Sequence, residues 1–383
     1  MVPFNYLSVL IMPTDYCNLN CVYCFKDDKT TDKSRKMSTD TLKKVFETII
    51  PYYNSVNFIW HGGEPTSMGI DFYQTALDYQ KELVQEKEKN QGETCKIKNT
   101  MQSNLTLIDD AFAKFLVAND FKIGGSYDGI NNDLTRGCSK QILRGHDLII
   151  QNGGKNSFIN VISMKNINSL IEDYEWFKAN NINFTMNLYI SSHPQNDDLF
   201  IPEKLCIQKF TELFDYWIKD KTGTLNIRFF DIILKHVIFN HSSLCAYTSC
   251  LGKWVGILYN GDIFPCNRSF PKEYKYGNVW DYDNIRDCFE SEGFNRLTAQ
   301  AVERRKKCSR DCEIFSFCAG GCNGNALSFG GVANNNHYIC KILRPMYNYI
   351  KEEVSKIEAL PIDEQENYNP LLIKMLNEKK EVK

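Results

Sequence analysis

The chain has 383 residues, of which 43% are hydrophobic and 24% charged, and this composition and length are typical of a globular protein of two domains. Its formal net charge of −2 gives no broad basic field, which argues against nucleic acid and membrane surfaces as partners. No apolar run reaches the roughly 18 residues of a membrane span, and the N-terminus lacks the features of a signal peptide, so we expect a cytoplasmic protein.

The first predicted elements are six short β-branched or aromatic segments that alternate with helical stretches. This alternation is typical of βα units around a parallel sheet. Six units predict an α/β fold, a partial (β/α)6 TIM-like barrel whose functional loops follow the carboxyl ends of the strands. The predicted strands are residues 7–12, 56–60, 96–102, 122–126, 157–163 and 183–190.

After His236 the chain becomes a series of short segments broken by Gly, Pro, Asn and Cys, too irregular for a large apolar core without cross-links. We therefore predict a barrel domain, a small irregular cysteine-rich domain, and a C-terminal helix and tail, at residues 1–237, 238–345 and 346–383. The closing helix is predicted at residues 342–359, and a frayed surface tail from residue 377.

The 15 cysteines fall mainly into two groups, three between Cys17 and Cys24 and nine between Cys245 and Cys340. Because the cytosol keeps thiols reduced, this grouping favours metal binding over disulfides. Four cysteines fit no ligand pattern, and we interpret them as small buried hydrophobic residues: Cys95, Cys138, Cys206 and Cys288. A catalytic or redox role of Cys138 stays open.

The first group follows the first predicted strand, where Cys17, Cys21 and Cys24 have the spacing CxxxCxxC. Three thiolates on one short loop can hold three irons of a [4Fe-4S] cluster and leave the fourth iron open to a small chelating molecule. The alternatives are a zinc loop that lacks its fourth ligand, and coincidence.

This spacing, with Tyr23 before the third cysteine, resembles the signature of the radical S-adenosylmethionine (SAM) superfamily. In that family the open iron binds SAM, and electron transfer cleaves SAM to methionine and a 5′-deoxyadenosyl radical that abstracts a hydrogen atom from the substrate. The resemblance implies SAM and one [4Fe-4S] cluster as cofactors, and a low-potential electron donor such as flavodoxin or ferredoxin.

The second predicted strand ends at a Gly-Gly-Glu-Pro segment, which resembles the GGEP motif that receives the methionine amino group in this family. Paired glycines let backbone approach a ligand closely, and a carboxylate can accept hydrogen bonds from an ammonium group. Residues 102–104 and 126–129 are looser matches to two further family segments. The resemblance implies these cofactor-binding residues: Tyr23, Gly62, Gly63, Glu64, Asn104, Ser126, Arg136, Ser163 and Asn166. The residues of the looser matches could equally be turn formers or solvated side chains.

Seven later cysteines follow a spacing that resembles the SPASM domain, which implies two auxiliary [4Fe-4S] clusters. One would be held by Cys245, Cys250, Cys266 and Cys322, and the other by Cys308, Cys312, Cys318 and Cys340. Whether Cys245 is a ligand or leaves an open site is undecided. Three residues instead of two separate Cys308 from Cys312, which puts the local loop geometry in doubt. Zinc, which also accepts four thiolates, is the alternative metal.

Enzymes that combine these two domains mostly modify peptides or proteins, so the resemblance implies a peptide or protein substrate. Anaerobic sulfatase maturases oxidise Cys or Ser to formylglycine, and an Asp after their second SPASM cysteine is the proposed general base. Here Asn267 follows Cys266, and a neutral amide cannot take a proton. We therefore favour a maturase that installs a thioether or carbon–carbon cross-link in a ribosomally made peptide, with formylglycine formation as the alternative.

Asp128 and Asp262 are the remaining candidates for a catalytic base. The rival from another class is a non-catalytic iron-sulfur electron carrier or a zinc-stabilised binding module, which predicts no SAM binding. Because the chain begins close to the first predicted strand, we expect any leader peptide to bind another surface or a partner.

Overall fold

A computed structural model describes residues 5–24, 32–191, 197–242 and 244–381. Strands β1 to β9 span, in chain order, Tyr6–Met12, Ser55–Trp60, Lys96–Gln102, Lys122–Ser126, Asn156–Ile162, Phe184–Leu188, Trp254–Leu258, Asp262–Phe264 and Gly277–Asn278. Helices α1 to α7 span Thr39–Glu47, Ile70–Gln91, Asp110–Ala118, Asn132–Thr135, Ser139–Gln151, Leu170–Ala179 and Glu203–Ile218. Helices α8 to α14 span Arg228–Phe239, Glu292–Asp311, Phe315–Cys318, Asn323–Ser328, Tyr338–Glu358, Ile362–Gln365 and Pro370–Glu381.

The chain divides into two compact units. The first unit comprises residues 1–126, 136–156 and 250–299, and the second comprises residues 127–135, 157–249 and 300–383. The predicted domain boundaries at residues 237 and 345 rest on sequence texture and stay a prediction.

The first unit contains a sheet of strand order β4-β3-β2-β1-β7-β8-β9, in which β1 to β4 and β7 are parallel. Strands β8 and β9 are antiparallel to their neighbours. Phe46 of α1 and Phe58 and Trp60 of β2 are fully buried beside one another, and the indole of Trp60 donates a hydrogen bond to the Asn99 amide oxygen at 3.0 Å. This packing fixes the end of β2, from which one functional loop leaves.

The α/β fold and its parallel strands are confirmed. The six predicted strands differ from β1 to β6 by at most two residues at either end. Ser38 caps the start of α1, since its hydroxyl accepts a hydrogen bond from the Thr41 amide at 3.1 Å.

The strand β7 is a feature that sequence reasoning missed. It pairs in parallel with β1, so that Val255 lies beside Val9 and Ile257 beside Ile11, all four fully buried. The sequence pattern did not indicate this strand, because its five residues form too short a run and lie among Gly and Cys residues.

The second unit contains the parallel pair β5 and β6 and most of the later helices. Helix α12 begins at Tyr338, four residues before the predicted closing helix. The predicted frayed tail is wrong over residues 377–381, which are helical in α14, because Leu372 and Leu376, one turn apart, are fully buried and anchor that helix. Residues 382–383 lie outside the described residues. No helix in the described parts of the chain is long and apolar enough to span a membrane.

Candidate functional site

The loop that follows β1 brings three cysteines together. Cys21 is buried and Cys17 and Cys24 are half-buried, and the Cys24 amide donates to the Cys21 carbonyl at 3.2 Å. Burial raises the pKa of the Cys17 thiol to about 11, and negative charge on its neighbours opposes its ionisation further. A thiol with this raised pKa would have to release its proton to bind iron, the role that the sequence predicts for Cys17.

The loop that follows β2 lies directly against the cysteine loop. The Gly63 amide donates to the Thr14 carbonyl at 2.9 Å, and the Glu64 amide donates to the Tyr16 carbonyl at 2.7 Å. A Cβ atom on Gly63 would stand 2.1 Å from the Tyr16 carbonyl oxygen, so only glycine permits this approach. Backbone hydrogen bonds thus attach the GGEP segment to Tyr16, the residue that precedes Cys17.

The Glu64 carboxylate joins this loop to the loop after β3. One of its oxygens accepts from the Thr66 amide at 2.9 Å, the Thr66 hydroxyl at 2.5 Å and the Ser103 hydroxyl at 2.8 Å. The other accepts from the Asn104 amide at 2.8 Å. Glu64 is almost completely buried, and burial raises its pKa although these hydrogen bonds lower it. Its side chain therefore acts within the protein as a link between loops.

Asn104 stands between that link and the cysteines. Its side-chain amide donates to the Asn18 amide oxygen at 3.0 Å and lies 3.9 Å from the Cys17 sulfur. Its own oxygen accepts from the Thr106 amide at 3.0 Å. The predicted SAM-binding residues Gly62, Gly63, Glu64 and Asn104 are therefore brought together beside the first predicted metal ligand.

Arg136 and Tyr23 meet on the other side of the same cysteine loop. The guanidinium of Arg136 lies 3.6 Å from the Cys21 sulfur and 5.6 Å from the centre of the Tyr23 ring. A guanidinium held there places positive charge beside a predicted cluster ligand. Ser126, at the end of β4, accepts from the Gln102 side chain at 3.0 Å.

Three of the predicted site residues that are not cysteines lie in the second unit, namely Asp128, Ser163 and Asn166. The Asn166 side-chain oxygen accepts from the Ser163 amide at 2.8 Å, and its amide group donates to the Val161 carbonyl at 3.0 Å. The buried carboxylate of Asp128 accepts from the Val161 amide at 2.9 Å and the Thr135 hydroxyl at 2.7 Å. These contacts give all three side chains a part in local structure, and their roles toward SAM or substrate stay predictions.

Asp262 is engaged as well. Its carboxylate pairs with the Lys275 ammonium at 2.6 Å and accepts from the Asn278 amide group at 2.9 Å. Burial raises its pKa, but these contacts outweigh burial and bring the pKa below its ordinary value. A carboxylate held in this way is a poor acceptor for a substrate proton.

A pocket in the second unit collects the later cysteines. It is lined by Tyr247 and His337 and by five thiols, those of Cys308, Cys312, Cys318, Cys322 and Cys340. Four of the five are the predicted ligands of one auxiliary cluster. Among the described residues, no three His, Cys, Asp or Glu side chains stand close enough to hold a single metal ion. Four thiols that line one pocket fit the predicted [4Fe-4S] cluster, and zinc stays the alternative metal.

The ligands predicted for the other cluster are divided between the two units. In the first unit, Cys250 and Cys266 lie near the buried Tyr276, whose pKa is raised by burial and then by charge on Cys288, Cys250 and Cys266. Cys245 and Cys322 belong to the second unit, where both lie near Tyr247. This ligand set stays a prediction.

The cysteines outside these sets behave differently from one another. Cys95, Cys206 and Cys288 are buried, as expected for small hydrophobic residues. Cys138 is exposed, so interpreting it as a buried hydrophobe is wrong. It precedes α5 with a positive φ of 60°, a backbone geometry that keeps its side chain out of the helix.

Two buried charged residues near predicted sites were missed by sequence reasoning. Asp173 of α6 accepts from the Ile130 amide at 2.8 Å, and a Cβ atom on Gly129 would stand 2.0 Å from its oxygen. Arg304 of α9 is fully buried and donates to the Gly320 carbonyl at 2.8 Å and the Asn323 side chain at 2.5 Å. Neither lies in a motif, and polar residues on helices are normally exposed, so the sequence offers no signal for them.

The comparisons with known proteins agree with this geometry. The model of the Radical SAM superfamily matches residues 11–177. The chain is 26% identical, over 90% of its length and 96% of the relative, to a cysteine-type anaerobic sulfatase-maturating enzyme of Clostridium perfringens. It is 24% identical, over 92% of its length and 93% of the relative, to a serine-type enzyme of Bacteroides thetaiotaomicron.

Two solved structures share the fold. Native anSMEcpe with bound AdoMet has a TM-score of 0.81 at 24% identity, over 92% of this chain and 98% of that chain. SuiB of Streptococcus suis bound to S-adenosylmethionine has a TM-score of 0.60 at 18% identity, over 88% of this chain and 77% of that chain. The chain is therefore a radical SAM enzyme and a homologue of the anaerobic sulfatase-maturating enzymes.

Proposed function

We propose that this radical SAM enzyme modifies a peptide or protein, and that it oxidises a cysteine or serine side chain of a sulfatase-type substrate to formylglycine. The observation that carries the proposal is the extent of the similarity, which covers 90% of this chain and 96% of the cysteine-type enzyme. A protein that shared only the radical chemistry would match the segment at residues 11–177 and differ elsewhere. This extent supports formylglycine formation better than the cross-linking reaction that the sequence alone favours.

When bound, SAM and the cluster of the β1 loop would supply the 5′-deoxyadenosyl radical, and auxiliary clusters would accept the electron that the oxidised substrate gives up. Cys17, Cys21 and Cys24 would hold the first cluster. The Gly62–Gly63 backbone, fixed against the cysteine loop, would present its polar groups to the methionine part of SAM. Glu64 would keep that backbone in place through Asn104.

The auxiliary clusters are part of the proposal. Cys308, Cys312, Cys318 and Cys340 would hold one of them, which the pocket in the second unit supports. Cys250, Cys266 and Cys322, with Cys245 as fourth ligand or open site, would hold the other. A low-potential donor such as flavodoxin or ferredoxin would supply the reducing electron.

A second candidate is the cross-linking of a ribosomally made peptide, and Asn267 favours it. Oxidation of a thiol or hydroxyl to an aldehyde requires a group that removes the thiol or hydroxyl proton, and the neutral amide of Asn267 cannot take it. The carboxylates of Asp128 and Asp262 are both held by internal partners. A reaction in which the substrate supplies its own thiolate nucleophile would not need a base at position 267.

The test is anaerobic incubation of the iron-loaded enzyme with SAM, dithionite and either a sulfatase peptide containing the target Cys or the same peptide with Ser. Mass spectrometry reports 5′-deoxyadenosine, and an aldehyde-reactive probe reports formylglycine. We expect both products from the native chain and neither from the Cys17→Ala, Cys21→Ala, Cys24→Ala variant. If 5′-deoxyadenosine forms but no aldehyde appears on either peptide, cross-linking becomes the better assignment. If the iron-loaded chain forms no 5′-deoxyadenosine, the catalytic proposal is wrong and the electron-carrier hypothesis takes its place.

A further inference from the structure

His337 is a buried imidazole that the proposed chemistry has not used. It precedes α12 by one residue and lines the pocket that contains the five thiols. Only 4% of its surface is exposed, and both ring nitrogens lack a hydrogen-bond partner among the described residues. A buried polar group without a partner is destabilising, so an imidazole in this position indicates a partner that the protein side chains do not supply.

The ring lies near Phe329 and Gly321. Its plane is nearly parallel to that of Phe329, with 10° between the planes and 6.4 Å between the centres. On the pocket side, the position of a Cβ atom on Gly321 would be 3.9 Å from the His337 Nε2 atom and 3.5 Å from the Cys318 sulfur. The absence of a side chain at Gly321 thus leaves space between the imidazole and a predicted cluster ligand.

The ring can serve as a donor. An imidazole carries at least one N–H group whether it is neutral or protonated. Four cysteines of the pocket already supply one thiolate for each iron of a [4Fe-4S] cluster, so the imidazole is not needed as a ligand.

We propose that His337 donates an N–H hydrogen bond to a sulfur of the cluster held by Cys308, Cys312, Cys318 and Cys340, and that this bond raises the reduction potential of that cluster. The inference rests on the proposed presence of this auxiliary cluster. A hydrogen bond to sulfur stabilises the reduced cluster, which carries one more negative charge than the oxidised cluster. A higher potential makes the cluster a better acceptor for an electron from the substrate.

The experiment isolates this cluster in the full-length chain. Cys17→Ala, Cys21→Ala and Cys24→Ala remove the first cluster, and Cys250→Ala with Cys266→Ala removes the other auxiliary cluster. In this background, His337→Phe removes the N–H group and keeps a flat ring beside Phe329, whereas His337→Gln restores a donor. His146→Phe is the matched control, because His146 is also buried but bonds the Asn156 side chain at 2.7 Å in the first unit. Redox titration followed by electron paramagnetic resonance gives the midpoint potential, and iron analysis gives the cluster content.

We expect His337→Phe to lower the ratio of reduced to oxidised cluster about tenfold at a fixed potential. For a one-electron couple this corresponds to a midpoint potential that is lower by about 59 mV. His337→Gln and His146→Phe should keep the native midpoint. An unchanged midpoint in His337→Phe at full iron content overturns the proposal. If His337→Phe loses its iron, the His337→Gln variant tests the proposal instead. A native midpoint potential at full iron content in His337→Gln supports the hydrogen bond. Iron loss in both variants overturns the hydrogen bond in favour of a role of His337 in ligation or packing. If the background itself holds no iron, the proposed auxiliary cluster is wrong, and that result is distinct from a failure of the hydrogen bond.

Discussion

The Glu64 carboxylate accepts a hydrogen bond from the Asn104 amide at 2.8 Å, across forty residues of sequence. Through this bond the loop after β2, which touches the cysteine loop, is fixed to the loop after β3. The family resemblance assigns Glu64 a role toward the SAM ammonium, and the structure gives its carboxylate four internal donors. Its effect on SAM would then pass through the backbone that it holds.

Glu64→Gln tests this arrangement. A Gln side chain has only one acceptor oxygen, so its NH2 group must face either the Asn104 amide or the donors on the other side. We expect a loss of about 1–3 kcal/mol in the free energy of unfolding and weaker SAM binding, measured by anaerobic denaturation and calorimetric titration. Ser103→Ala, which removes a single donor to Glu64, is the control. Equal effects of the two variants would contradict a linking role for the carboxylate.

Asp173 makes a prediction about pH. Burial, the largest cause, raises its pKa from 3.8 to about 7, although hydrogen bonds from Ile130 and Ser169 lower it. Because the folded-state pKa is raised, the stability from this residue is fully present below about pH 4 and is lost as the pH rises through about 7. Asp173→Asn keeps an oxygen for the Ile130 amide and does not ionise.

We therefore expect the stability of Asp173→Asn relative to the native chain to increase from pH 5 to pH 8, by about 2–3 kcal/mol. Urea denaturation across this range measures the difference. A difference that does not vary with pH would show that Asp173 stays ionised throughout.

Arg304 supports the turn between Cys318 and Cys322. It donates to the Gly320 carbonyl at 2.8 Å, the Gly321 carbonyl at 3.2 Å, the Asn323 side chain and the Val332 carbonyl. Arg304→Met would leave these buried acceptors without donors, and we expect a loss of about 3 kcal/mol or more together with loss of iron from the pocket. Denaturation and iron analysis measure both.

The control for Arg304 lies on the same helix. Arg296 is partly exposed and pairs with Glu292 at 3.0 Å, so Arg296→Met should cost no more than about 1 kcal/mol. Native iron content in Arg304→Met would show that the turn holds its shape without the guanidinium.

Asn267→Asp tests which reaction the enzyme performs. A carboxylate at this position would supply the missing proton acceptor, so we expect a higher yield of aldehyde from a sulfatase peptide if the native reaction is formylglycine formation. Asn284→Asp is the control, because Asn284 is also half-buried and its oxygen only accepts from the Arg286 amide at 3.1 Å. An unchanged yield in Asn267→Asp would count against position 267 as the site of the base.

The sequence predicted those features that depend on short-range pattern. Alternation of strands and helices located β1 to β6, and the spacing of Cys17, Cys21 and Cys24 identified the loop that the Radical SAM model also matches. Partners distant in sequence could not be predicted in this way. The bonds of Glu64 to Ser103 and of Arg304 to Val332 join residues whose proximity is created by the fold, and no local pattern encodes them.

The pairing of β7 with β1 has a consequence for how this protein is made. Residue 8 bonds residue 253 through the backbone, so one edge of β1 stays unpaired until most of the chain has left the ribosome. An unpaired edge rich in Val, Leu and Ile is a template for association with other chains, and contacts of such long sequence separation form slowly. The strand β1, from which the cysteine loop leaves, would then be paired on both edges only late in synthesis. This order favours insertion of iron after synthesis has passed Leu258.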